Sequence, residues 1–569
     1  MQPRFKIMVT MLAVGLLVAA CGGPQDRAGT AGQAPGSTTA PRKLAVAILG
    51  NPPHANARIT NSSSVAGMHE VDELLHAGAT TIDNQGKRIP RLVEAVPSTD
   101  NGLWRVLEDG RMEVTWRLRP NITWHDGTPF TAADLLFTTT LGRDPDLGGN
   151  DALYRRIESA EAVDAGTLKV VWKDTFILAD SMFTRETSRP YHQPVPRHIV
   201  ESTYATDKTK IPEMPYWSEQ FVGLGPFKLR EFVRGSHFLL DANDQYMFGR
   251  PKIDTIEVKF IPDHTTVVAN VLAGTVEFVL GRGLSLEEAV VTRDQWRDGK
   301  PNISSTSRYW MWPKFVNPNP PAMTDVRFRR ALLHAMNRQE LVDTIQYGYG
   351  GINHSILDTT DPDFQPVESR VVKYDYDPAR AIEMIGAVGF TRGSDGMFRG
   401  SANEPLSMEI RSSQGTTDEK ALFAIADYFK RVGIAAEAFV IPDQMAEDRE
   451  WRAAFPALAM QRGGYGPTQL PRYGTAQIPT AANRYSTPQF SAYSNAEFDA
   501  MLAKYELTIP LRERVQLFGD IVFHMTDVVN QLPLFFTVDV ELVHNRLVNV
   551  LPGHKDATAA WNAHEWEMR

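Results

Sequence analysis

Cysteine is nearly absent from this chain of 569 residues, in which Cys21 is the only one. A single thiol cannot form a disulfide within the chain, so the folded part has to be held together by its hydrophobic core. Beyond residue 41 the sequence also lacks any run of about eighteen apolar residues, the length that a membrane-spanning helix requires. Hydrophobic residues make up 43% of the chain and aromatic residues 9%, which is ordinary for a globular protein and argues against extensive disorder.

The first twenty residues have the pattern of a secretory signal peptide. Arg4 and Lys6 precede an apolar stretch from Ile7 to Val18, and two small residues follow it. As a helix, this stretch would reach only ~18 Å, whereas the core of a bilayer is ~30 Å thick. We therefore expect residues 1–20 to be cleaved off and not to remain as a membrane span.

Cys21 follows this segment directly, and the run Val18-Ala19-Ala20-Cys21 resembles the lipobox of bacterial lipoproteins, in which Leu is more usual at the first position. The resemblance implies cleavage before Cys21 and acylation of its thiol; the alternative is that Cys21 is one more apolar residue of the signal. Several acyl chains give a stable anchor that one chain does not give. Residues 21–41 are rich in Gly, Ala, Ser, Thr and Pro, which predicts a flexible tether. The expected location is outside the cytoplasm, lipid-anchored to the cell membrane at the cell surface or in the periplasm.

The formal net charge is −9, and it becomes −11 once Arg4 and Lys6 are removed with the signal. An acidic chain is a poor partner for a polyanion, so the charge argues against nucleic-acid binding. The remaining roughly 530 residues exceed what one hydrophobic core supports, which predicts two or three domains.

Strand-like and helix-like segments alternate along the chain without an internal repeat, which predicts an α/β fold. Alternating apolar residues predict a strand over Met112–Leu118, and apolar runs predict further strands over Leu44–Leu49 and Leu532–Val543. The segments Leu406–Ile410, 418–430 and Ile434–Ile441 predict a strand–helix–strand unit with parallel strands.

Helix starts are marked by capping residues. Thr131 and Asp134 form a capping box, which Phe130 and Leu135 flank at the staple positions. Asp377 before a proline predicts a second helix start, and Ser494 with Glu497 a third. For the helix that begins near Phe328, the cap is either Thr324 or Asp325, and its arginines are expected to face water or to pair locally.

Five stretches resemble the bacterial solute-binding proteins of family 5, which include dipeptide, oligopeptide and nickel binders. The longest is the run from Trp116 to Asp134, WRLRPNITWHDGTPFTAAD. The others, in the same order as in that family, are VGLGPFKL at 222–229, DVRFRRALLHAMNR at 325–338, YDYDPARA at 374–381 with VGF at 388–390, and YSNAEFD at 493–499. These motifs have structural explanations, so they identify the fold and leave the ligand open.

The resemblance implies an α/β protein with the two-lobed periplasmic-binding-protein-like fold of the large, dipeptide- or oligopeptide-binding type. Lobe I would comprise residues 42–68, 190–307 and 531–569, a subdomain of lobe I would be inserted at 69–189, and lobe II would comprise 308–530. Two crossings of the chain between the lobes imply a cleft that closes on a ligand, a change that a transporter can recognise. The implied function is the extracytoplasmic binding component of an ABC importer for a peptide-like solute, acting as a monomer with permease and ATPase partners.

Two segments suggest walls for such a cleft, since a buried ligand needs apolar surfaces and a few aimed polar groups. Tyr309, Trp310 and Trp312 lie at the first crossing, and Trp310 and Trp312 share one side if the segment is a strand; core packing alone would also explain them. Near the start of lobe I, Asn61 and Ser62 have polar groups that could line the cleft.

The stretch from Trp451 to Ala496 contains no Asp or Glu, although it contains four arginines. In relatives that bind peptides, ligand-contacting residues fall in this window, where Arg462-Gly-Gly-Tyr465 is the best local match. Because the guanidinium fork suits a carboxylate, Arg462, with Arg484 as second choice and Tyr465 beside it, is the candidate anchor for an acidic group of the ligand. Loops with solvated charges are the alternative explanation.

Peptide-binding relatives usually have an acidic residue in this window that pairs with the amino terminus of the peptide, and here none exists. An unpaired ammonium group is costly to bury, so either a carboxylate elsewhere serves or the ligand is not a free-amine peptide. Sugars, opines and metal chelates remain alternative ligands.

A secreted hydrolase is the rival from another class. His69 and Glu70 begin a segment that looks like a zinc-protease helix, but the second histidine is missing and Glu73 is predicted to be a surface residue. His125 lies in the family signature, where a structural role is expected. The sequence therefore predicts no enzyme activity, no cofactor and no metal site.

Overall fold

The computed structural model describes residues 41–57, 65–147, 152–185, 191–281, 283–359 and 364–569. Residues Pro41–Arg569 form one compact unit. Its strands, in chain order, are β1 (Lys43–Leu49), β2 (Thr80–Ile82), β3 (Arg88–Pro90), β4 (Trp104–Val106), β5 (Met112–Arg117), β6 (Ile157–Asp164), β7 (Thr167–Trp172), β8 (Phe227–Val233), β9 (His237–Ala242), β10 (Thr255–Ile261), β11 (Phe278–Val279), β12 (Gly299–Pro313), β13 (Thr391–Arg392), β14 (Phe398–Arg399), β15 (Ser407–Ser412), β16 (Ala435–Val440), β17 (Leu458–Gly463), β18 (Leu532–His544), β19 (Leu547–Val548) and β20 (Glu567–Met568).

The helices alternate with these strands, as predicted for an α/β chain. They are α1 (Met68–Leu75), α2 (Ala132–Arg143), α3 (Ala152–Arg155), α4 (Arg197–Asp207), α5 (His264–Leu272), α6 (Leu286–Gln295), α7 (Val326–Ala335), α8 (Arg338–Ile345), α9 (Phe364–Val367), α10 (Pro378–Ala387), α11 (Thr416–Arg431), α12 (Asp443–Ala446), α13 (Arg449–Ala453), α14 (Ala496–Leu507) and α15 (Leu511–Asp527).

A ten-stranded mixed sheet runs through the whole unit in the order β16-β15-β17-β12-β18-β11-β1-β10-β9-β8. Its two long central strands, β12 and β18, pair antiparallel with each other from Gly299 to Met311. On its other edge, the end of β12 from Arg308 to Pro313 pairs with β17, and Val543 near the end of β18 pairs with Phe278 of β11. The two strands therefore connect the two ends of the molecule.

Separate hydrophobic clusters lie on either side of these strands. Two of them are built from buried residues between Tyr309 and Phe535. Two others combine the first strands of the chain with its last segment, from Leu44 to Trp566. A fifth cluster lies between Ala77 and Leu224 and packs the four-stranded sheet β4-β5-β7-β6. Several cores in one chain are what its length predicts.

The predicted local structure is confirmed at most of its key positions. The backbone N–H of Thr131 donates to Asp134 Oδ2 at 2.9 Å at the start of α2, and Asp377 accepts from the N–H of Arg380 at 2.9 Å at the start of α10. Strands β15 and β16 are parallel, with α11 between them. Asp325, not Thr324, caps α7 by accepting from the N–H of Arg327 at 2.8 Å.

Three predictions are wrong. The cap of α14 is Asn495, whose Oδ1 accepts from the N–H of Phe498 at 2.8 Å, so the predicted cap at Ser494 is off by one residue. Glu73 is not a surface residue, because it is 4% exposed and pairs with Arg91 at 3.2 Å. Arg329 is buried within α7, since backbone carbonyl oxygens of residues 323, 528 and 529 accept from its guanidinium.

Candidate functional site

Strand β12 changes character halfway along its length. Its first half, Gly299–Ser307, is polar and partly exposed, whereas Arg308–Pro313 is buried throughout. The pairing with β18 is irregular between Ser305 and Ser307, and again between Arg308 and Trp310. Such bulges re-aim side chains and are over-represented beside functional sites.

A cavity of ≈ 170 Å³ borders the polar half of this strand. Its walls come from the start of α1, the end of β11, the polar residues of β12 and β18, and the segment before the C-terminus. The lining residues are Val65, Ala66, Gly67, His69, Glu70, Arg185, Gly281, Ser304, Thr306, Asp539, Glu541, Gly553, His554, Lys555, Ala557, Thr558 and Ala559.

One wall of the cavity is acidic. Asp539 and Glu541 are two residues apart on β18, so their side chains lie on one face of that strand. Glu541 is buried, and it accepts from Asn302 Nδ2 at 3.0 Å. Burial, together with the negative charge of Glu70, raises the pKa of Glu541 well above its usual value. The protein therefore holds a protonatable carboxyl group where the chain crosses between its two ends.

The cavity lining also includes Arg185 and Lys555, and both of these cations have protein partners. Arg185 Nε lies 3.0 Å from Glu73 Oε2, and Lys555 Nζ contacts Asp556. The cavity thus presents both signs of charge, an arrangement that suits a zwitterionic ligand more than a uniformly charged one.

Arg462 and Tyr465, both predicted ligand contacts, lie beside this cavity. Arg462 Nε donates to Ser307 Oγ at 2.9 Å, and its Nη2 is 3.7 Å from Asp539 Oδ1. The side chain of Arg462 is still 38% exposed, so part of its guanidinium is open to a solute. Tyr465 is buried, and its hydroxyl donates to Ser305 Oγ at 3.0 Å.

Tyr309 lies next to Arg462 in the register of β12 and β17. Its hydroxyl donates to Asp418 Oδ2 at 2.9 Å, and the ring is buried. Burial raises the pKa of Asp418, while its hydrogen bond from Tyr309 and the charge of Arg462 lower it. The structure thus brings Tyr309 and Arg462 together with a carboxylate from the start of α11.

Trp310 and Trp312 share one side of β12, as predicted. Their rings make an edge-to-face contact with centroids 5.8 Å apart, and both are buried in the same core cluster. Neither tryptophan is among the residues that line the cavity. Their packing positions β12 in the end of the molecule that contains β17.

The other predicted site residues lie elsewhere. Arg484 is exposed, in a left-handed conformation after the turn Ala481–Asn483, and it does not line the cavity. Asn61, Ser62 and the lipidation candidate Cys21 fall outside the described residues.

Sequence reasoning missed the acidic wall. Asp539 and Glu541 interrupt the apolar strand LPLFFTVDVELVH at alternate positions, which places both on one face. Charged residues at that spacing in a buried strand were a usable signal. No local pattern indicates that Glu70 and Lys555 also line the cavity, because their positions there depend on tertiary packing.

His125 has the structural role expected of it. Its Nδ1 accepts from the N–H of Gly223 at 3.1 Å, so the ring is neutral with the proton on Nε2, which lies 3.1 Å from the carbonyl oxygen of Gly225. Burial lowers the pKa of His125 to about 3. The ring therefore fixes a loop and takes no part in acid–base chemistry near neutral pH.

Among the residues that the structure describes, no helix has both the length and the apolar character needed to cross a bilayer. Nor do any three His, Cys, Asp or Glu side chains in that part of the chain form a group that could hold a metal ion.

Comparison with known proteins places the chain among solute-binding proteins. Oligopeptide-binding protein AppA of Bacillus subtilis (strain 168) is 22% identical over 519 residues, which cover 88% of this chain and 87% of that protein. The structure of NikA from Brucella suis in complex with Fe(III)-EDTA matches with a TM-score of 0.73 and 19% identity, over 93% of this chain and 100% of that one. The structure of AppA from Bacillus subtilis with a nonapeptide matches with a TM-score of 0.66 and 18% identity, over 93% and 99%.

These structural matches show that the chain has the two-lobed α/β fold of the large substrate-binding proteins. The family model for bacterial extracellular solute-binding proteins, family 5, middle region, matches residues 94–478. Because this match spans more than half of the chain, the protein belongs to family 5 of the bacterial extracellular solute-binding proteins.

Proposed function

We propose that this protein is the extracytoplasmic substrate-binding component of an ABC importer and that it captures a peptide or peptide-like solute at the crossing strands. The observation that carries the proposal is the cavity of ≈ 170 Å³ beside β12 and β18, whose lining includes carboxylates as well as a guanidinium and an ammonium group. The relative AppA, an oligopeptide-binding protein, supports the choice of a peptide-like ligand.

In this proposal, the acidic wall replaces the carboxylate that is missing between Trp451 and Ala496. Glu541, with Asp539 beside it, binds the ligand's amino group, and Arg462 binds its acidic group. Arg462 already lies 3.7 Å from Asp539. A bound ligand would therefore extend this charge pair, with its amino group beside the carboxylates and its acidic group beside Arg462.

The lobe boundaries proposed from the sequence fit this arrangement. The cavity-lining residues fall within lobe I (42–68, 190–307 and 531–569) or its inserted subdomain (69–189), whereas Arg462 and Tyr465 belong to lobe II (308–530). In the closed cleft, the anchor for the acidic group from lobe II would therefore lie beside the wall of lobe I that holds the amine. The proposal also includes a lipid anchor on Cys21, a monomeric state, and delivery of the solute to a permease.

A thermal-shift screen of the protein without residues 1–40 tests the function. The library contains di- to nonapeptides, sugars, opines and metal chelates, because a ligand that binds only the folded state raises the melting temperature by mass action. Peptides with both termini free are expected to give the largest shifts. Shifts with sugars or chelates alone, or with no solute at all, would refute the peptide assignment.

The acidic wall is tested by titration calorimetry on a peptide that the screen identifies. The variant Glu541→Gln should bind it about 10- to 100-fold more weakly, since a hydrogen bond to a charged group contributes ~1.5–3 kcal/mol. Acetylation of the peptide's amino group should weaken binding to the native protein and leave binding to Glu541→Gln nearly unchanged. The matched control is Glu113→Gln, which removes a buried carboxylate of the inserted subdomain and should leave the affinity as it is.

Proton release provides an independent check. Because the pKa of Glu541 is raised in the free protein, an ammonium group bound beside it should lower that pKa and release a proton. Calorimetry in buffers of different ionisation enthalpy measures this proton. Equal enthalpies in all buffers would mean that the amine binds elsewhere.

A further inference from the structure

Arg308 is fully buried at the centre of the crossing strand β12, with 0% of its surface exposed. Its Nη2 donates to Tyr473 Oη and to Gln531 Oε1, each at 2.7 Å. Both acceptors are neutral. Within the part of the chain that the structure describes, Nε and Nη1 of Arg308 have no hydrogen-bond partner.

Two other buried arginines show how this protein normally accommodates a guanidinium. Arg329 donates from Nε, Nη1 and Nη2 to three backbone carbonyl oxygens. Arg338 likewise donates from both terminal nitrogens to backbone carbonyl oxygens. Arg308 is more deeply buried than either, yet it has acceptors at only one nitrogen. Buried charges are normally paired and fully hydrogen-bonded, so Arg308 is the exception that requires an explanation.

A second guanidinium adds to the positive charge. Arg308 lies over the ring of Trp310, with Cζ 4.4 Å from the centroid, and Arg472 lies 5.9 Å from the centroid of the same ring. Gly463 permits this approach, because a Cβ there would come within 3.2 Å of Arg472 Nη1. Burial and the charge of Arg472 both lower the pKa of Arg308. Arg472 belongs to the stretch without Asp or Glu that the sequence singles out.

The backbone around Arg308 is irregular as well. The two register shifts between β12 and β18 lie immediately before Ser307 and immediately after Arg308. A strand that only had to cross between lobes could pair regularly, whereas irregularities on both sides of the pair Ser307–Arg308 re-aim these side chains.

We propose that Arg308 and Arg472 form a binding site for a small free anion such as chloride. The anion would accept hydrogen bonds from Nε and Nη1 of Arg308, which lack acceptors in the protein. It would neutralise the charge where lobe II begins. The site is separate from the cavity, because neither arginine lines it.

Bromide locates a free anion directly. Crystals of the protein grown without chloride and soaked in sodium bromide should show an anomalous peak within hydrogen-bond distance of Arg308 Nε and Nη1. A peak there identifies the anion as free halide.

The solution test compares melting temperatures in sodium chloride and in sodium isethionate, a bulky sulfonate, at equal ionic strength. The native protein should show a saturable upward shift with chloride. The shift should disappear in Arg308→Met and weaken in Arg472→Gln, which keeps Arg308 and provides a readout if Arg308→Met fails to fold. Arg484→Gln, which changes an exposed arginine of the same stretch, should keep the full shift.

Water at Arg308 in the bromide crystals, together with no chloride-dependent shift in melting temperature, would overturn the proposal. Failure of peptide binding alone would count against the proposed function and leave the halide result standing.

Discussion

The two halves of β12 differ in polarity and in burial. The first half, GKPNISSTS, is polar and borders a cavity with carboxylates on its wall. The second half, RYWMWP, is buried and aromatic and packs into two hydrophobic clusters. One strand therefore has a polar, wet half that borders the cavity and a buried, dry half that packs into the hydrophobic core.

The difference assigns separate roles to residues that the sequence presents together. From the sequence, the aromatic residues at the crossing could form walls of the cleft or belong to the core, and the structure buries them in the core. Polar residues of modest size, together with the acidic pair on β18, form the cavity instead. Mutations in the dry half should therefore change stability, and mutations in the wet half should change binding.

The largest effect is expected from Trp310→Ala. Removing a fully buried indole leaves a cavity in the core, which should lower the free energy of unfolding by about 3–5 kcal/mol. The matched change in the wet half is Thr306→Ala, expected to stay within about 0.5 kcal/mol because the hydroxyl of Thr306 has no hydrogen-bond partner in the described structure. Urea unfolding measures both, and similar losses would abolish the distinction between the halves.

A smaller loss is expected from Gly463→Ala on β17. The added methyl group would come within 3.0 Å of Trp310 Cη2, so overpacking should cost about 1–3 kcal/mol. Gly464→Ala is the control, since its methyl group would meet only the flexible end of Gln469 at 3.2 Å. If urea unfolding gave equal stabilities for the two variants, the packing around Trp310 would be looser than the structure indicates.

The pH dependence of stability tests the wet half. Between pH 4.5 and the raised pKa of Glu541, the folded state binds more protons than the unfolded state, so the free energy of unfolding should fall as pH rises. Glu541→Gln removes this contribution and should flatten the curve and stabilise the protein at pH 7, although Glu70 and Asp539 remain. Urea unfolding from pH 4 to 8 measures the slopes. Parallel curves for the two proteins would show that Glu541 is ionised in the folded state.

The smallest effect is expected at a contact between the proposed inserted subdomain and the proposed lobe II. Arg156 Nη2 lies 3.0 Å from Glu506 Oε2, and both side chains are 26% exposed. Arg156→Ala should destabilise the closed form by up to about 1 kcal/mol, seen as faster ligand dissociation in stopped-flow measurements. Lys420→Ala breaks a more exposed pair with Glu287 and should have less effect. Equal dissociation rates in all three proteins would exclude a role for Arg156 in closure.

Local structure could be predicted from the sequence because its causes are local. The capping box at Thr131 and the parallel unit β15-α11-β16 depend on neighbouring residues and on hydrophobic periodicity. The cap of α14 was misplaced by one residue because Ser494 and Asn495 are both good caps. Glu73 and Arg329 were misjudged because partners distant in sequence bury them.

The candidate site could be predicted only in part for the same reason. The stretch without Asp or Glu led to Arg462, which lies beside the cavity, but the buried guanidinium near that stretch belongs to Arg308. The carboxylate of Asp539, which lies 3.7 Å from Arg462, comes from β18, about eighty residues further along the chain. No local pattern reports which distant strands become neighbours.

The most direct test is a crystal structure of the protein with a peptide identified in the thermal-shift screen. The account predicts the peptide's amino group within hydrogen-bond distance of Glu541 or Asp539 and its acidic group within reach of Arg462. A peptide bound instead in the groove of ≈ 470 Å³ between Leu136 and Lys208, with the cavity at the crossing strands unchanged, would contradict it.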